Sequence, residues 1–332
     1  MDRVKINSLS ICARITLNLH NLNNEGTEGN QQQTRMVHII DQKGQRALVN
    51  AVSGDMFKHI LVDHLVPLLK EAGEPLSPGA ARHDPDRINA NNPDFEEFCN
   101  NKQRSESEIM TEMISKCSLT DLAGALVTTG NRAVGRKSVV EFGWVVGLPK
   151  DGNGQPLTVT EQYFHVKYAP EGRTKAAGGE TVVGRQAIFH RPASSGVYAL
   201  ICNADLYRVG LNDITRECVI DRSSRKKRAR ALIEALVATL FKPSGAQRNT
   251  QNPHIVGCEG VIATSATSLP APLVSPLNDN YKEEMEKAAQ VLNSMRPNSV
   301  RVTSFESLAD GAKVLAELAK TVELPDSLPF DQ

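Results

Sequence analysis

Residues 8–20 alternate strictly between apolar and polar side chains, as a half-buried strand does, while residues 53–71 and 232–240 repeat apolar side chains at helical spacing. These patterns predict an α+β protein. Strand-like and helical stretches follow in the order β, loop, β, helix, insertion, β, hairpin, β, helix, β. With the insertions set aside, that order is βαββαβ, the ferredoxin-like or RRM-like plan.

In SLSICARITLNLH (8–20), Leu9, Ile11, Ala13, Ile15, Leu17 and Leu19 take one face, and Ser10, Cys12, Arg14, Thr16, Asn18 and His20 take the other. NLNNEGTEGNQQQ reads as a polar loop, RMVHII as a strand and DQKG as a turn. In SGDMFKHILVDHLVPLLKE (53–71), Met56, Phe57, Ile60, Leu61, Leu65, Leu68 and Leu69 form an apolar stripe, Ser53 is the expected cap, and Pro67 is expected to kink or end the helix. Residues 73–105, rich in Pro, Asn, Asp and Gly, read as an irregular insertion.

SEIMTEMISKCSLTDLAGALV is helical in pattern, and KSVVEFGWVVGLP (137–149) is strand-like. Between 150 and 196 the glycine-rich tracts DGNG and EGRTKAAGGE surround two β-like runs, which predicts a protruding hairpin. GVYALICNADLYRVG is a further strand, DRSSRKKRARALIEALVATLF (221–241) a helix, PSGAQRNTQNPH a polar loop and VGCEGVIAT a last strand. The acidic C-terminal part reads as mostly helical, with Thr303 and Glu306 as a capping box.

The chain of 332 residues is long enough for one elaborated domain or two. No apolar run approaches a membrane span, and MDRVKINSLS has no signal-peptide core. Six cysteines without CxxC pairs or zinc-like spacing point to reduced thiols in a cytoplasm. Aromatic content of 5% argues against base stacking as the main binding device. The 38 basic and 38 acidic residues cancel, yet they are segregated. Residues 208–248 hold ten Lys or Arg against four Asp or Glu, while 84–121 hold four against nine and 277–332 six against ten. Such a protein can hold a polyanion locally or face a copy of itself with opposite charges opposed.

GNRAVGRKS (130–138) is nearly a phosphate-binding P-loop, but Arg136 separates its Gly from its Lys and a strand follows where a helix is required, so a turn before a strand is expected. His59 and His64 are five apart and do not share a metal-binding helix face. No nucleophile motif stands out, and no cofactor or metal is expected.

The densest charge is at the start of the 221–241 helix, where Arg222, Arg225, Lys226, Lys227, Arg228 and Arg230 fall within nine residues. Cations there oppose the helix dipole. A solvated face is the ordinary explanation of such a run; the polar 243–254 loop beyond the helix favours the alternative, exposed cations meeting phosphate oxygens.

Several stretches together resemble the backbone subunit of type I CRISPR Cascade complexes, of the DevR/Csa kind within the RAMP superfamily. They are NNEGTEGN, SGDMFKH, CSLTDLAGAL, Gly135-Arg136 before VVEFGWVVGLP, QAIFHRPASSGVYAL, the R-x-x-R-K-K-R helix, and PSGAQRNTQNPH with EGV, in family order over about residues 8 to 265.

The resemblance implies an RRM-like palm (1–72 and 197–332, with the acidic helical part), a finger-like helical insertion (73–136) and a strand with a thumb hairpin (137–196). It implies a non-catalytic scaffold that oligomerises along CRISPR guide RNA, presents it to target DNA, and meets other Cascade subunits. Ser53, with Gly54 beside it, Lys58 and His59 match the family's guide-phosphate motif, with His59 where related subunits often carry Arg. On this reading Arg14, Asn18 and His20 lie near bases, and Arg225, Lys226, Arg228, Gly245, Gln247, Arg248 and Asn249 bind RNA. Lys167, Arg173, Lys175, Arg185 and Arg191 bind it from the hairpin, where Val182 or Ile188 wedges between bases. Relatives in type III complexes cut target RNA with an Asp after the first strand. Here that loop has Glu25 and Glu28 but no Asp, so a metal-dependent endoribonuclease using those glutamates is the alternative, and a transcriptional autoregulator a third reading.

Overall fold

The computed structural model describes residues 4–151, 153–167, 187–245 and 249–325. A two-residue strand, β1 (Val4–Lys5), precedes the alternating stretch, which forms β2 (Ser8–His20) in the middle of the main sheet. The alternation fails at its end. Leu19 takes a φ of 53° and is exposed, which turns His20 inward.

The polar stretch expected as a loop is instead a hairpin, β3 (Asn24–Glu28) and β4 (Gln31–Thr34), joined through Gly29 and Asn30. Both of its faces are polar, so no alternation marks it. β5 (Met36–Ile40) and β6 (Arg46–Val52) flank the expected turn, in which Asp41 Oδ1 accepts from the N–H groups of Lys43 and Gln45. α1 (Gly54–Glu71) begins as expected, with Ser53 Oγ accepting from Met56 N–H at 3.2 Å. It runs through Pro67 rather than ending there; Pro67 is exposed, so the bond its ring forgoes is lost on the solvent side.

The insertion holds two single 3₁₀ turns, then α2 (Pro93–Asn100), α3 (Glu106–Lys116), α4 (Ser118–Ala123) and the short strands β7 (Ala125–Val127) and β8 (Val134–Arg136). The stretch expected as one helix thus breaks at Cys117 and ends in a strand. GNRAVGRKS is a turn before a strand. β9 (Val140–Phe142) and β10 (Val145–Gly147) divide the next run, and β11 (Thr158–Lys167) with β12 (Ala187–Ala204) forms the expected hairpin arms, paired from Thr158–Gly196 to Lys167–Ala187.

The remainder is α5 (Arg222–Phe241), β13 (His254–Ser265), α6 (Tyr281–Met295), β14 (Val300–Phe305), α7 (Leu308–Thr321) and β15 (Val322–Glu323), which pairs with β1. Ser307, not the Thr303–Glu306 pair, caps α7 by accepting from Asp310 N–H at 3.1 Å; Thr303 is within β14. Among the described residues no helix is long and apolar enough to cross a membrane.

The main sheet runs β14-β13-β2-β12-β10-β6-β5, and the neighbours β13, β2, β12 and β10 are all antiparallel. Leu9, Ile11, Ile15 and Leu17 of β2 share the principal core with Phe57, Leu61 and Leu65 of α1 and Leu232 and Leu236 of α5. The other face of β2 is not the open polar face that alternation suggested. Ser10 and Cys12 are buried beneath the 271–285 stretch: Ser10 Oγ donates to Pro272 O, and Cys12 packs with Ala271, Tyr281 and Met285.

The β11 arm leaves the sheet at a close crossing. Side-chain atoms on Gly196 would lie 2.5 Å from the Leu157 carbonyl, and on Gly147 2.6 Å from Thr158 Oγ1. Thr158 Oγ1 donates to Leu148 O at 3.1 Å at this crossing.

Two of the six cations in the basic run, Arg225 and Arg228, are interior. Arg228 is 1% exposed; its Nε donates to Glu74 at 2.8 Å, and its Nη1 to Asp121 Oδ2 at 3.0 Å and Ile114 O at 2.8 Å. Arg136 meets the other Asp121 oxygen at 2.7 Å and Asp213 at 2.9 Å, and Arg208 pairs with Asp213 at 2.9 Å. Three guanidinium groups and three carboxylates therefore form one electrically balanced cluster.

Arg225, also buried, spends its guanidinium on the carbonyls of Val209, Tyr207 and Pro325. The dipole penalty at the helix start is eased by Asp221, which caps it through Ser223 and Ser224 N–H. The expectation that these arginines are exposed and dispensable to the fold is corrected. Removing one partner of a buried ion pair strands the others. Arg228→Met should lower the unfolding free energy by about 3–5 kcal/mol, whereas Lys227→Ala, at an exposed position, should change it by less than about 0.5 kcal/mol. Urea midpoints of the two variants check this.

Candidate nucleic-acid interface

The end of β2 organises the start of α1. Asn23 Oδ1 accepts from Ser53 N–H at 2.8 Å, which holds the cap against the β2–β3 junction. Gly54 sits under β9, where a side chain would fall 2.5 Å from the Phe142 carbonyl. Gly245 packs on Leu22, and Asn21 reaches Gln251, which in turn donates to Pro192 O at 2.9 Å. The cap of α1, the ends of the 243–251 loop and the root of the hairpin are thereby gathered in one region.

A cavity of about 490 Å³ opens beside the first turn of α1, lined by Gly54, Asp55, Lys58, Lys137, Ser138, Glu141 and Trp144 among others. Lys58 is half-buried and forms no ion pair among the described residues. Burial pushes its amine below the ordinary lysine range, as does the Arg87 guanidinium nearby, against the pull of Asp55 and Glu141. Arg87 itself donates to Gly124 O and is pushed down by burial. Lys137 pairs with Glu141 at 2.9 Å. Trp144 is 45% exposed, with the Arg35 guanidinium 5.4 Å from its ring centre, and Arg35 is ion-paired to Glu25. The arrangement offers two neighbouring, partly desolvated cations without a carboxylate bound between them, and an aromatic surface beside them.

Residues 11–286 match the family described as CRISPR-associated negative auto-regulator DevR/Csa2. The chain belongs to the DevR/Csa2 family. Among solved structures, a chain of a "CRISPR RNA-guided surveillance complex, pre-nicking" is 16% identical over 97% of this chain and 96% of that one, with a TM-score of 0.49. A chain of another CRISPR RNA-guided surveillance complex is 14% identical over 97% and 95%, with a TM-score of 0.43. Csc2 of Thermofilum pendens is 12% identical over 93% and 80%, with a TM-score of 0.37. No curated protein matches the sequence.

In this DevR/Csa2 member the residues picked out from the sequence divide sharply. Gly54 and Lys58 come together at the cavity, with Ser53 next to them as the cap of α1. His59 is exposed on the same turn, 3.8 Å from Asp63. Gly245 and the exposed Asn249 lie in the adjoining loop, and Arg191 covers the Phe189 ring at 4.7 Å and reaches Thr250. Arg225 and Arg228 are interior, so RNA contact by them is corrected; Lys226 is held by Glu323 at 2.6 Å.

Arg14, expected near bases, is instead fastened to the far segment through Pro276 O and Asp279 and lies over Tyr281. Asn18 is half-buried opposite His254. His20 is 2% exposed and edge-on to Tyr198 at 5.0 Å, within the protein. Lys167 is paired in β11 through its backbone. Arg173, Lys175, Arg185, Gln247, Arg248 and the wedge candidate Val182 lie outside the described residues; Ile188 is in β12. Arg87, Lys137 and Trp144 were missed: Arg87 is isolated in the irregular insertion, Lys137 was read only as part of the near-P-loop 130–138, and Trp144, the lone tryptophan, was read only as part of the strand-like run 137–149.

Burial pushes the His20 imidazole down to about 4. Below the ordinary value near 6.5 the unfolded chain therefore takes up a proton that the folded ring refuses. The stability it permits is complete above about pH 6.5 and falls as pH drops toward 4, by up to about 1.4 kcal/mol per pH unit. His20→Phe should flatten this part of the stability–pH curve, measured by urea unfolding between those limits.

Proposed function

We propose that this chain is a non-catalytic scaffold subunit of a CRISPR surveillance complex, that it binds guide RNA, and that copies of it line the guide and present it for pairing with target DNA. The observation that carries the reading is Lys58, a half-buried cation beside Arg87 in an open cavity at the helix start, in a chain of a CRISPR-associated family. Phosphate oxygens suit that position, since a helix N-terminus and a cation both favour negative charge.

The antiparallel order β13-β2-β12-β10, with α1 and α5 on one face, supports an RRM-like palm. The 73–136 insertion then corresponds to the finger, and the β11–β12 hairpin to the thumb that reaches a neighbouring copy. Glu25 is tied to Arg35 and its hairpin carries no Asp, which favours binding over cleavage. Reading the backbone leaves sequence selection to base pairing, as in other RNA-guided effectors.

Affinity for single-stranded guide RNA should fall with salt at a log–log slope of about −0.7 per phosphate contact. Lys58→Ala should make that slope shallower by about 0.7, with the melting temperature unchanged. RNA anisotropy titrations between low and moderate salt measure it. A slope unaffected by the substitution removes Lys58 from the interface, and cleavage of matched RNA by the assembled complex would install the endoribonuclease reading. Tighter binding to duplex DNA than to guide RNA would instead favour the auto-regulator role in the family's description.

A further inference from the structure

Trp144 is the one tryptophan of the chain, and its position is unusual for such a residue. It is 45% exposed at the break between β9 and β10, where it lines the cavity beside α1. An indole is a large apolar surface that a monomer ordinarily covers. Here it is held rather than hidden: Arg35 lies over the ring, and Glu25 of the β3–β4 hairpin fixes Arg35 in turn. A ring steadied in this way loses little freedom on receiving a partner, which is the property of a preorganised platform.

The cavity is within the ~300–1,000 Å³ range of small-ligand sites. Its cations are Lys58 and Lys137, with Arg87 just behind Lys58; its carboxylates are Asp55 and Glu141, the latter already paired with Lys137. The lining charges balance, and the Arg87 guanidinium near Lys58 adds one positive charge to a site that also holds a planar apolar surface. It suits a ligand with one anionic group and one flat ring, and the two carboxylates disfavour a second anionic group.

We propose that this cavity receives a single nucleotide of a single-stranded RNA, with its base stacked on Trp144 and its phosphate at Lys58 and the first turn of α1. The assignment rests on the RNA-binding function above and makes Trp144 the residue that meets a base. Stacking of this kind accepts every base, because each has a flat face. It adds a contact to the backbone recognition without adding sequence preference.

The single tryptophan makes the test direct. The full-length protein is titrated with a short fluorescein-labelled single-stranded RNA, following label anisotropy, and with the same unlabelled RNA, following tryptophan emission. The expected result is quenching of emission that saturates over the same concentrations as the anisotropy, with inorganic phosphate at equal ionic strength leaving emission unchanged. Trp144→Leu should weaken binding roughly 5- to 150-fold, the span of single-base stacking, while Trp144→Tyr should retain most of the affinity.

If anisotropy reports binding while emission of the wild-type protein stays constant, the RNA-binding reading survives and the stacking assignment is overturned. Quenching by inorganic phosphate alone also overturns it, since that shows an anion site without a base. No anisotropy change with any RNA overturns both.

Discussion

The carboxylate of Asp121 is shared by two guanidinium groups and the N–H of Gly210, and the placement of the whole insertion follows from that sharing. In a low-dielectric interior a lone carboxylate or guanidinium would be very costly, so each charge must be met in full. The cluster does this with groups from four separated stretches: Glu74 at the start of the insertion, Asp121 and Arg136 towards its end, Arg208 with Asp213 after β12, and Arg228 of α5. None of these stretches can move without leaving another's charge unmatched. The 73–136 insertion is therefore locked to the helix that backs the sheet, although it is a long excursion in sequence.

That cluster also settles what the basic run at the front of α5 is. Arg225 and Arg228, three residues apart, face inward; Arg222 and Lys226 lean on Glu323, and Arg230 pairs with Glu234 one turn on. A local count of charge misses the partners of Arg228, Arg222 and Lys226, because Glu74, Asp121 and Glu323 are far away in sequence. The same blindness applies to β2. Its alternation was plain in the sequence and is real in the structure, but the chain that returns over its polar face comes some 260 residues later.

Features governed by neighbours in sequence were legible: β2, the start of α1 with its Ser53 cap, the hairpin arms, α5 and β13. Features governed by distant partners were not. The β3–β4 hairpin shows no apolar period because neither face meets the core, and Pro67 was tolerated because its missing donor points to solvent. Of the candidate site, Ser53, Gly54 and Lys58 were readable because they match a short motif of the family the sequence resembles. Arg87, Lys137 and Trp144 were not, since only folding brings them beside the first turn of α1. With the polar face of β2 covered and Arg225 and Arg228 interior, the candidates that folding brings together are those at the cavity beside α1, the ends of the 243–251 loop and the hairpin root.

The crossing at Gly147 and Gly196 has a consequence for how this protein can vary. The β11–β12 hairpin leaves the body where Gly196 lies against the backbone of Leu157 and Thr158, Gly147 lies against the Thr158 side chain, and that side chain is tied to Leu148 O. The angle of departure is set there, within a few residues of the sheet. From that point β11 and β12 stay paired without a shift of register out to Lys167 and Ala187, so the arm carries the direction given at its base. Any larger residue at either glycine would tilt the entire arm, and a small change at its base would be magnified at its tip.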